Sequence, residues 1–561
     1  MYTLGINAAF HDSAAVLIKD GQIIAAAEEE RFTHIKHGKR PLPFSAYEIP
    51  YHAIDYCLKT TDIHLNDIEN FAYSFDPELL KKSDDSAAGA SIYHDWDELF
   101  QTYIELAALQ LQDGYPHHLQ KRFIGASDIQ KKWHYVAHHV AHAASAYYPS
   151  PFQKAAIMIL DGRGEKVSTS YYLGEGNRMT ELGVVCMPHS LGMLYEKITT
   201  YLGFLHSSDE YKVMALASYG NPIFMDKFMS AIHLSEDGSY QIDDFNPEEW
   251  WGPHRKKDDP FTGLHFDIAH SLQKALETSV LFLVNWLHRH TQTDNLCLAG
   301  GVALNCVLNS VIKDNSPFKQ VWVQPAAGDA GTALGAALWV DVAYSNADET
   351  DRYVREMNHV YWGPSYTDDE VEAFLKWSKV PYKKLDNVAR DAANILAQNK
   401  IIGWYQGRME FGPRALGSRS ILASPIEAEM QAKLNDIKDR EDFRPVAPVV
   451  LEEEAGEWFD TASFSPFMLF VYPVKEDKAD KIPAVRHVDG TARIQTINRN
   501  QHPLYYDLLH EFKNITGVPV LVNTSFNTRG EPIVCTPRDA IECFWTSPFD
   551  ALVINSFLLE K

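Results

Sequence analysis

The chain reads as an α/β protein of two domains, and three features of the sequence carry that reading. It has 561 residues, beyond the size at which a single hydrophobic core stops growing. Apolar runs of strand length alternate with amphipathic runs of helix length, and no repeat of solenoid period is visible. Glycine-rich turns follow three of the apolar runs, at Asp161-Gly-Arg-Gly164, Leu298-Ala-Gly-Gly301 and Ala327-Gly-Asp-Ala-Gly331. Such turns can present backbone N–H groups to an anion, although glycine also serves ordinary tight turns.

Taken in order, residues 3–7, 14–18 and 22–28 predict strands, the last two joined by an Asp20-Gly21 hairpin turn. The Ala-rich run over 136–147 predicts a helix that Pro149 must end. His138 and His142, four residues apart, would share a face of that helix and could grip one ion. Interior histidines satisfied by backbone are the alternative at this spacing. The strand over 155–160 would deliver Asp161 at its carboxyl end, and Asp329 supplies a second carboxylate far downstream. Two imidazoles with two carboxylates suit iron or manganese better than a closed structural zinc site.

Loops are expected over 81–93 and 236–260, either shaping a substrate pocket or lying as solvated surface. The sequence turns short, polar and acidic over 345–352, which divides it into domains of 1–350 and 351–561. The second part holds its own strands, over 401–405 and 518–522. It also concentrates cations in an acidic chain. Arg408, Arg414 and Arg419 fall within 407–420, and Lys438, Arg440 and Arg444 follow. Guanidinium forks bind phosphate bidentately and an ammonium adds a point charge, so this loop region predicts a phosphate site.

Composition narrows the partners. The chain is 45% hydrophobic and 22% charged, as a globular enzyme would be, and its formal charge of −24 opposes wrapping of a nucleic-acid backbone. Its six scattered cysteines form no C-x-x-C pair, which fits a reducing cytoplasm. The start lacks a basic n-region and an apolar h-region, and no stretch approaches about 18 uninterrupted apolar residues, so neither secretion nor a membrane is expected.

The three glycine turns behind a strand hairpin resemble the actin, sugar kinase and Hsp70 ATPase superfold. That resemblance implies ATP with Mg2+, with Gly162 and Gly328 in turns flanking the phosphates and Gly300, Gly301 and Asn305 approaching the adenosine. The histidine pair followed by Asp-Gly and a distal Gly-Asp-x-Gly resembles the metal-dependent ATPase that makes threonylcarbamoyladenosine. Asn7-Ala-Ala-Phe-His-Asp-Ser-Ala-Ala15, Ala27-Glu-Glu-Glu-Arg-Phe-Thr-His-Ile-Lys-His37, Glu410-Phe-Gly-Pro-Arg-Ala-Leu-Gly417 and Val522-Asn-Thr-Ser-Phe-Asn-Thr-Arg-Gly-Glu-Pro532 together resemble the NodU/CmcH family of O-carbamoyltransferases. The family implies a YrdC-like α/β second domain that makes carbamoyl-adenylate from carbamoyl phosphate and ATP. The first domain then passes the carbamoyl group to a hydroxyl of a sugar or natural product.

The same resemblance places His11 and Lys36 beside the reacting carbonyl, where one group must manage the alcohol proton and others must hold the developing oxyanion. More loosely, it places Glu210 and Lys212 near nucleotide and acceptor. Lys438, Arg444 and Arg493 match positions that hold carbamoyl phosphate and ATP, with Asn523 and Ser525 completing the polar lining. The expected metal set is His138, His142, Asp161 and Asp329 with Fe2+, or with Mn2+ or Zn2+. The alternatives are a small-molecule kinase or ATPase of the same superfold and a threonylcarbamoyl-type transferase, the latter opposed by the net charge. A homodimer is compatible with the sequence, and no residue in it names the acceptor.

Overall fold

The structure, a computed structural model, describes residues 1–38, 49–81, 101–113, 127–348, 350, 352–528 and 530–561. The loop expected over 81–93 lies, beyond Lys81, outside the described residues. The chain divides into two compact units, Met1–Met357 and Asn358–Lys561.

The first unit uses one sheet topology twice. In the first sheet β1 (Tyr2–Asn7), β2 (Ala14–Lys19) and β3 (Gln22–Glu28) form an antiparallel meander. On the other edge of β1, β4 (Asn70–Tyr73) and then β5 (Trp133–Tyr135) pair in parallel. In the second sheet β6 (Lys154–Leu160), β7 (Val167–Glu175) and β8 (Arg178–Cys186) repeat the meander. A hairpin of β9 (Ile232–Leu234) and β10 (Tyr240–Ile242) intervenes. Then β11 (Asn295–Ala299) and β12 (Gln320–Val323) pair in parallel beside β6. The strand orders, β3-β2-β1-β4-β5 and β8-β7-β6-β11-β12, are the same topology. The expected loop over 236–260 instead carries β10 and a short helix, Pro247–Trp251, that brings Phe245 flat against Trp250 at 3.9 Å.

Each half closes with a helix that packs on the sheet of the other half. The histidine helix His138–Tyr147 follows β5 and lies on β6, β7 and β11. The helix Ala330–Tyr344 follows β12 and lies on β1, β2 and β4. The two helices meet where only glycine fits, because a Cβ on Gly335 would run into the carbonyl of Ala141. Gly5 on β1 is under the same restriction against Ala333. A valine at Gly335 should therefore push the helices apart and destabilise the unit by about 1–3 kcal/mol, visible as a lowered Tm. An unchanged Tm would show that the crossing relaxes without cost.

The second unit holds one mixed eight-stranded sheet. Its strands are β13 (Lys383–Lys384), β14 (Ile402–Tyr405), β15 (Arg419–Ala423), β16 (Ala447–Leu451), β19 (Gln495–Ile497), β20 (Val520–Ser525), β21 (Ala551–Ile554) and β22 (Phe557–Glu560). Between β16 and β19, β17 (Val471–Pro473) and β18 (Thr491–Arg493) pair separately. The order is β13-β22-β21-β14-β15-β20-β16-β19. The expected strand over 518–522 begins two residues later and runs on to Ser525, so Asn523 and Ser525 fall within the sheet. The α/β class read from the sequence is the one observed, as a duplicated pair of mixed sheets followed by a separate α/β domain. No helix among the described residues is long and apolar enough to cross a membrane.

Candidate functional site

The duplicated topology brings together four donors that lie far apart in sequence. His138 and His142 come from the helix after the first sheet, Asp161 from the carboxyl end of β6, and Asp329 from the residue preceding the helix Ala330–Tyr344. All four are buried, and one ligand atom from each lies within 4.8 Å of the others. The two Nε2 atoms stand 3.2 Å apart. Asp161 Oδ2 is 3.5 Å from His138 Nε2 and 3.9 Å from His142 Nε2, and Asp329 Oδ1 is 3.6 and 3.8 Å from the same atoms.

Donors about 2.1 Å from a central ion would stand about 3.4 Å apart in a tetrahedron, so the spacing fits a metal shell. The chemistry fits as well. Two buried carboxylates need compensating positive charge, and a divalent cation supplies it while leaving both imidazoles neutral. The supporting contacts are in place. His138 Nδ1 faces the Ser74 carbonyl at 3.3 Å, which makes Nδ1 the N–H and turns the Nε2 lone pair toward the cluster. Asp161 Oδ1 accepts from the Gly301 N–H at 2.8 Å, leaving Oδ2 for the site. His142 Nδ1 is buried without a hydrogen-bond partner among the described residues.

Titration reflects the same crowding. Burial alone would lower the His138 pKa, but the facing carboxylates of Asp161 and Asp329 outweigh it and raise it well above the usual value. The imidazoles, overcoming burial, hold Asp161 below the usual carboxylate range, and His11 and His138 hold Asp329 down to about 2. The neighbouring His139 differs, since burial holds it down to about 3 and its Nδ1 pairs with Ser170 Oγ at 2.9 Å.

Beside the four donors stands His11, whose Nδ1 is 3.7 Å from Asp329 Oδ2. Lys36 opens the turn Lys36–Gly38, which is tied to the His11 loop because Asp12 N–H donates to the His37 carbonyl at 3.0 Å. Gly300, at φ +92°, must be glycine, as a Cβ there would strike the Leu160 backbone. Gly162 and Gly301 flank Asp161, and the Gly162 carbonyl accepts from Ser190 Oγ at 2.7 Å. Gly328 precedes Asp329 and accepts from the Gly331 N–H at 3.0 Å.

Asn305 has local work. It caps the helix Cys306–Asn315 by accepting from Leu308 N–H at 3.0 Å and exchanges hydrogen bonds with Gln273. Glu210 and Lys212 lie on the helix Glu210–Ala217, where Lys212 Nζ sits 3.2 Å from Asp209 Oδ2 and over the Phe204 ring.

In the second unit, long-range contacts gather three of the sequence motifs. Lys438 Nζ donates to Ser525 O at 2.5 Å, Asn527 Oδ1 at 2.7 Å and Asn527 O at 2.9 Å. Asn523 is buried at 1% exposure and donates through Nδ2 to Gln495 Oε1 at 2.7 Å and Ala415 O at 3.2 Å. Its Oδ1, an acceptor fixed in place, has no partner among the described residues. Ala415 adjoins Arg414 and Gln495 lies two residues past Arg493, and both arginines are half-buried.

Arg440 Nε donates to Asn435 Oδ1 at 2.5 Å, Arg444 Nη1 lies 3.6 Å from Glu441 Oε2, and Arg408 Nη2 donates to Trp362 O at 2.6 Å. Arg419 departs from the expected phosphate set. Its guanidinium is wholly buried on Tyr405, 3.6 Å from the ring centroid, and its Nη atoms donate to the carbonyls of Gln406, Gly407, Ser418 and Pro364. Those donors hold the protein's own backbone. Sequence reasoning also missed Glu410 as a clamp, whose Oε1 accepts from Leu416 and Ser418 N–H at 2.7 Å each. The motif contained it, but nothing in spacing shows which way a carboxylate turns.

Fold and site thus define a two-domain α/β protein with a candidate metal centre in one domain and a cationic loop cluster in the other. A family model described as Carbamoyltransferase N-terminus matches residues 2–338, and one described as Carbamoyltransferase C-terminus matches 393–561. The chain belongs to the carbamoyltransferase family and is an enzyme of that class. It is 40% identical to nodulation protein NolNO of Sinorhizobium fredii over 99% of this chain and 80% of that one. It is 41% identical to nodulation protein NolO of Bradyrhizobium diazoefficiens over 76% of this chain and 78% of the other. An uncharacterized protein of Synechocystis is 39% identical over 100% and 97% of the two chains.

Proposed function

We propose that the protein is an ATP-dependent O-carbamoyltransferase working in two steps, with carbamoyl-adenylate as the intermediate and a hydroxyl of a sugar or natural product as acceptor. In the second unit water attacks carbamoyl phosphate, the bond between the carbamoyl group and the phosphate breaks, and carbamate and phosphate result. A carbamate oxygen then bonds to the α-phosphorus of ATP, the bond from that phosphorus to the β-phosphate oxygen breaks, and pyrophosphate leaves. Arg444, Arg493, Arg408, Arg414 and Arg440, with Lys438, supply cations that suit the phosphates. Asn523 and Ser525 supply polar groups beside Lys438.

In the first unit the acceptor oxygen attacks the carbonyl carbon of the adenylate and AMP leaves. Asp161, Asp329, His138 and His142 would hold a divalent ion, Fe2+, Mn2+ or Zn2+, which supplies Lewis-acid polarisation and orientation of anionic oxygens. ATP brings Mg2+.

The single observation that supports this most is the buried four-donor cluster, placed in a unit that the carbamoyltransferase model matches over residues 2–338. A kinase or ATPase of the same superfold would leave the second unit, matched by its own carbamoyltransferase model, without a task. The test is stoichiometry. With both substrates present, one phosphate and one pyrophosphate should appear per ATP consumed, and omitting carbamoyl phosphate should stop both. Formation of ADP, or pyrophosphate release without carbamoyl phosphate, would reject the proposal.

A further inference from the structure

The turn that follows β6 carries two buried carboxylates, at 161 and at 165. Asp161 is a candidate ligand, whereas Glu165 stands outside the four-donor cluster and faces main chain. Its Oε1 accepts from Asp76 N–H at 2.8 Å and from His138 N–H at 2.9 Å, and its Oε2 accepts from His138 N–H at 3.2 Å. The sequence explains why the histidine helix needs this outside partner. The first N–H groups of a helix have no intrahelical acceptor, and the residue before His138 is Ala137, whose methyl cannot cap them. Glu165 does so from 27 residues along the chain, with the charge that the helix dipole favours at that end. Glycine lets the turn come this close, because a Cβ on Gly164 would sit 2.9 Å from the His139 ring and 3.2 Å from His138 Cβ.

Asp76, the other group that Glu165 holds, belongs to a short segment that reaches the remaining ligands. The Ser74 carbonyl faces His138 Nδ1 at 3.3 Å. Ser74 Oγ accepts from Thr332 Oγ1 at 2.8 Å, and Thr332 N–H donates to the Asp329 carbonyl at 3.0 Å. Residues 74–76 thus supply no ligand, yet they are bonded to His138, through Thr332 to the Asp329 turn, and through Glu165 to the Asp161 turn. Glu165 closes this ring, since one of its oxygens ties the Asp161 turn to both His138 and Asp76.

We propose that Glu165 is a positioning residue that sets the separation of His138 from Asp161, so that the four donors take up their divalent ion in a fixed geometry. It acts through the main chain, by the place of its oxygen rather than by its charge. Shifting the helix start away from the Asp161 turn would open the 3.5 Å spacing between His138 Nε2 and Asp161 Oδ2, which suits a tetrahedral shell. The role assigned to Glu165 rests on the metal centre of the function proposed above, and not on the chemistry given to either unit.

The experiment is a Co2+ titration of the full chain followed by its visible ligand-field spectrum, with a thermal melt of each variant before metal is added. Glu165→Gln keeps an oxygen where Oε1 makes the two shorter contacts and discards the charge. Glu165→Asp keeps the charge and is one methylene too short to reach both N–H groups. Glu165→Gln should bind Co2+ within about threefold of the unsubstituted chain and with its spectrum, and Glu165→Asp about 10–100-fold more weakly with a shifted spectrum. The reverse order would mean that charge matters, and overturns the inference. So does a Glu165→Asp protein that melts lower yet binds Co2+ as tightly with an unchanged spectrum, the mark of a merely structural role. Hydrogen exchange of the metal-free, unsubstituted chain needs no variant to fold. The amides of Asp76 and His138 should be protected, although the first amides of a helix ordinarily exchange freely, and free exchange at both overturns the inference. An unsubstituted chain that takes up no Co2+, or a His138→Ala chain that takes it up equally well, would remove the metal centre and the role of Glu165 with it. Failure to release pyrophosphate from ATP and carbamoyl phosphate would sink the proposed chemistry and leave that role standing.

Discussion

His138→Ala should lose its divalent metal while keeping carbamoyl-phosphate-dependent pyrophosphate release, because the proposed function assigns the two activities to different units. His138 is the donor closest to both carboxylates, and its ring is fixed by the Ser74 carbonyl. Removing it leaves Asp161 and Asp329 facing each other, buried, with only His142 between them. Loss of an outer partner of a metal ligand typically costs about 10–100-fold in affinity, and loss of the ligand itself should cost more than that. Without metal, the uncompensated carboxylates should also weaken the first unit by about 3–5 kcal/mol. Elemental analysis and thermal melts with and without chelator check both parts. A His138→Ala protein that retains one metal per chain would reject the assigned ligand set.

Arg419→Met and Arg444→Ala should fail in opposite ways. The Arg419 guanidinium satisfies four backbone carbonyls, three in the connection between β14 and β15 and one at Pro364. Each carbonyl left unmet in the interior costs about 1–3 kcal/mol, partly offset by relief of a buried charge, so the second unit should lose about 3 kcal/mol. For a unit of this size that is a Tm drop of roughly 10 °C. Arg444 is more open, and its partner Glu441 is 3.6 Å away, an arrangement worth at most about 1 kcal/mol. Arg444→Ala should therefore melt normally and lose pyrophosphate release. A stable but inactive Arg419→Met would restore Arg419 to the phosphate-binding set.

The contrast between these arginines marks where sequence reasoning stops. Both lie in glycine- and proline-punctuated cationic segments, and residue type alone suggests phosphate for each. Only the fold shows that one is sealed on Tyr405 while the other stands at a loop. The histidine pair was more legible, since i, i+4 spacing on a helix puts both rings on one face whatever surrounds it. Asp161 was legible as the end of an apolar strand. Asp329 lies far from both along the chain, and its arrival depends on a duplicated topology in which each half's closing helix packs on the other half's sheet.

The contact that ties Asp12 to His37 depends on three left-handed residues, Phe10, Asp12 and His37, none of them glycine, and no local pattern announces that conformation. The expected strands began one residue early at β14 and two at β20, where isoleucine and valine favour extended backbone before the paired segment, and the polar Asn523-Thr-Ser525 end of β20 was missed by three residues. The polar stretch 236–260 was read as loop because its short helix is anchored by aromatic stacking rather than by an apolar period.

The central claim is a carbamoyl-adenylate made in one domain and consumed at the metal centre of the other. The most direct measurement is mass spectrometry of the protein incubated with ATP and carbamoyl phosphate in the absence of any acceptor. The account predicts carbamoyl-adenylate with the unsubstituted chain and with His138→Ala, and none with Arg444→Ala. ATP converted only to ADP, or an adenylate that forms regardless of carbamoyl phosphate, would contradict it.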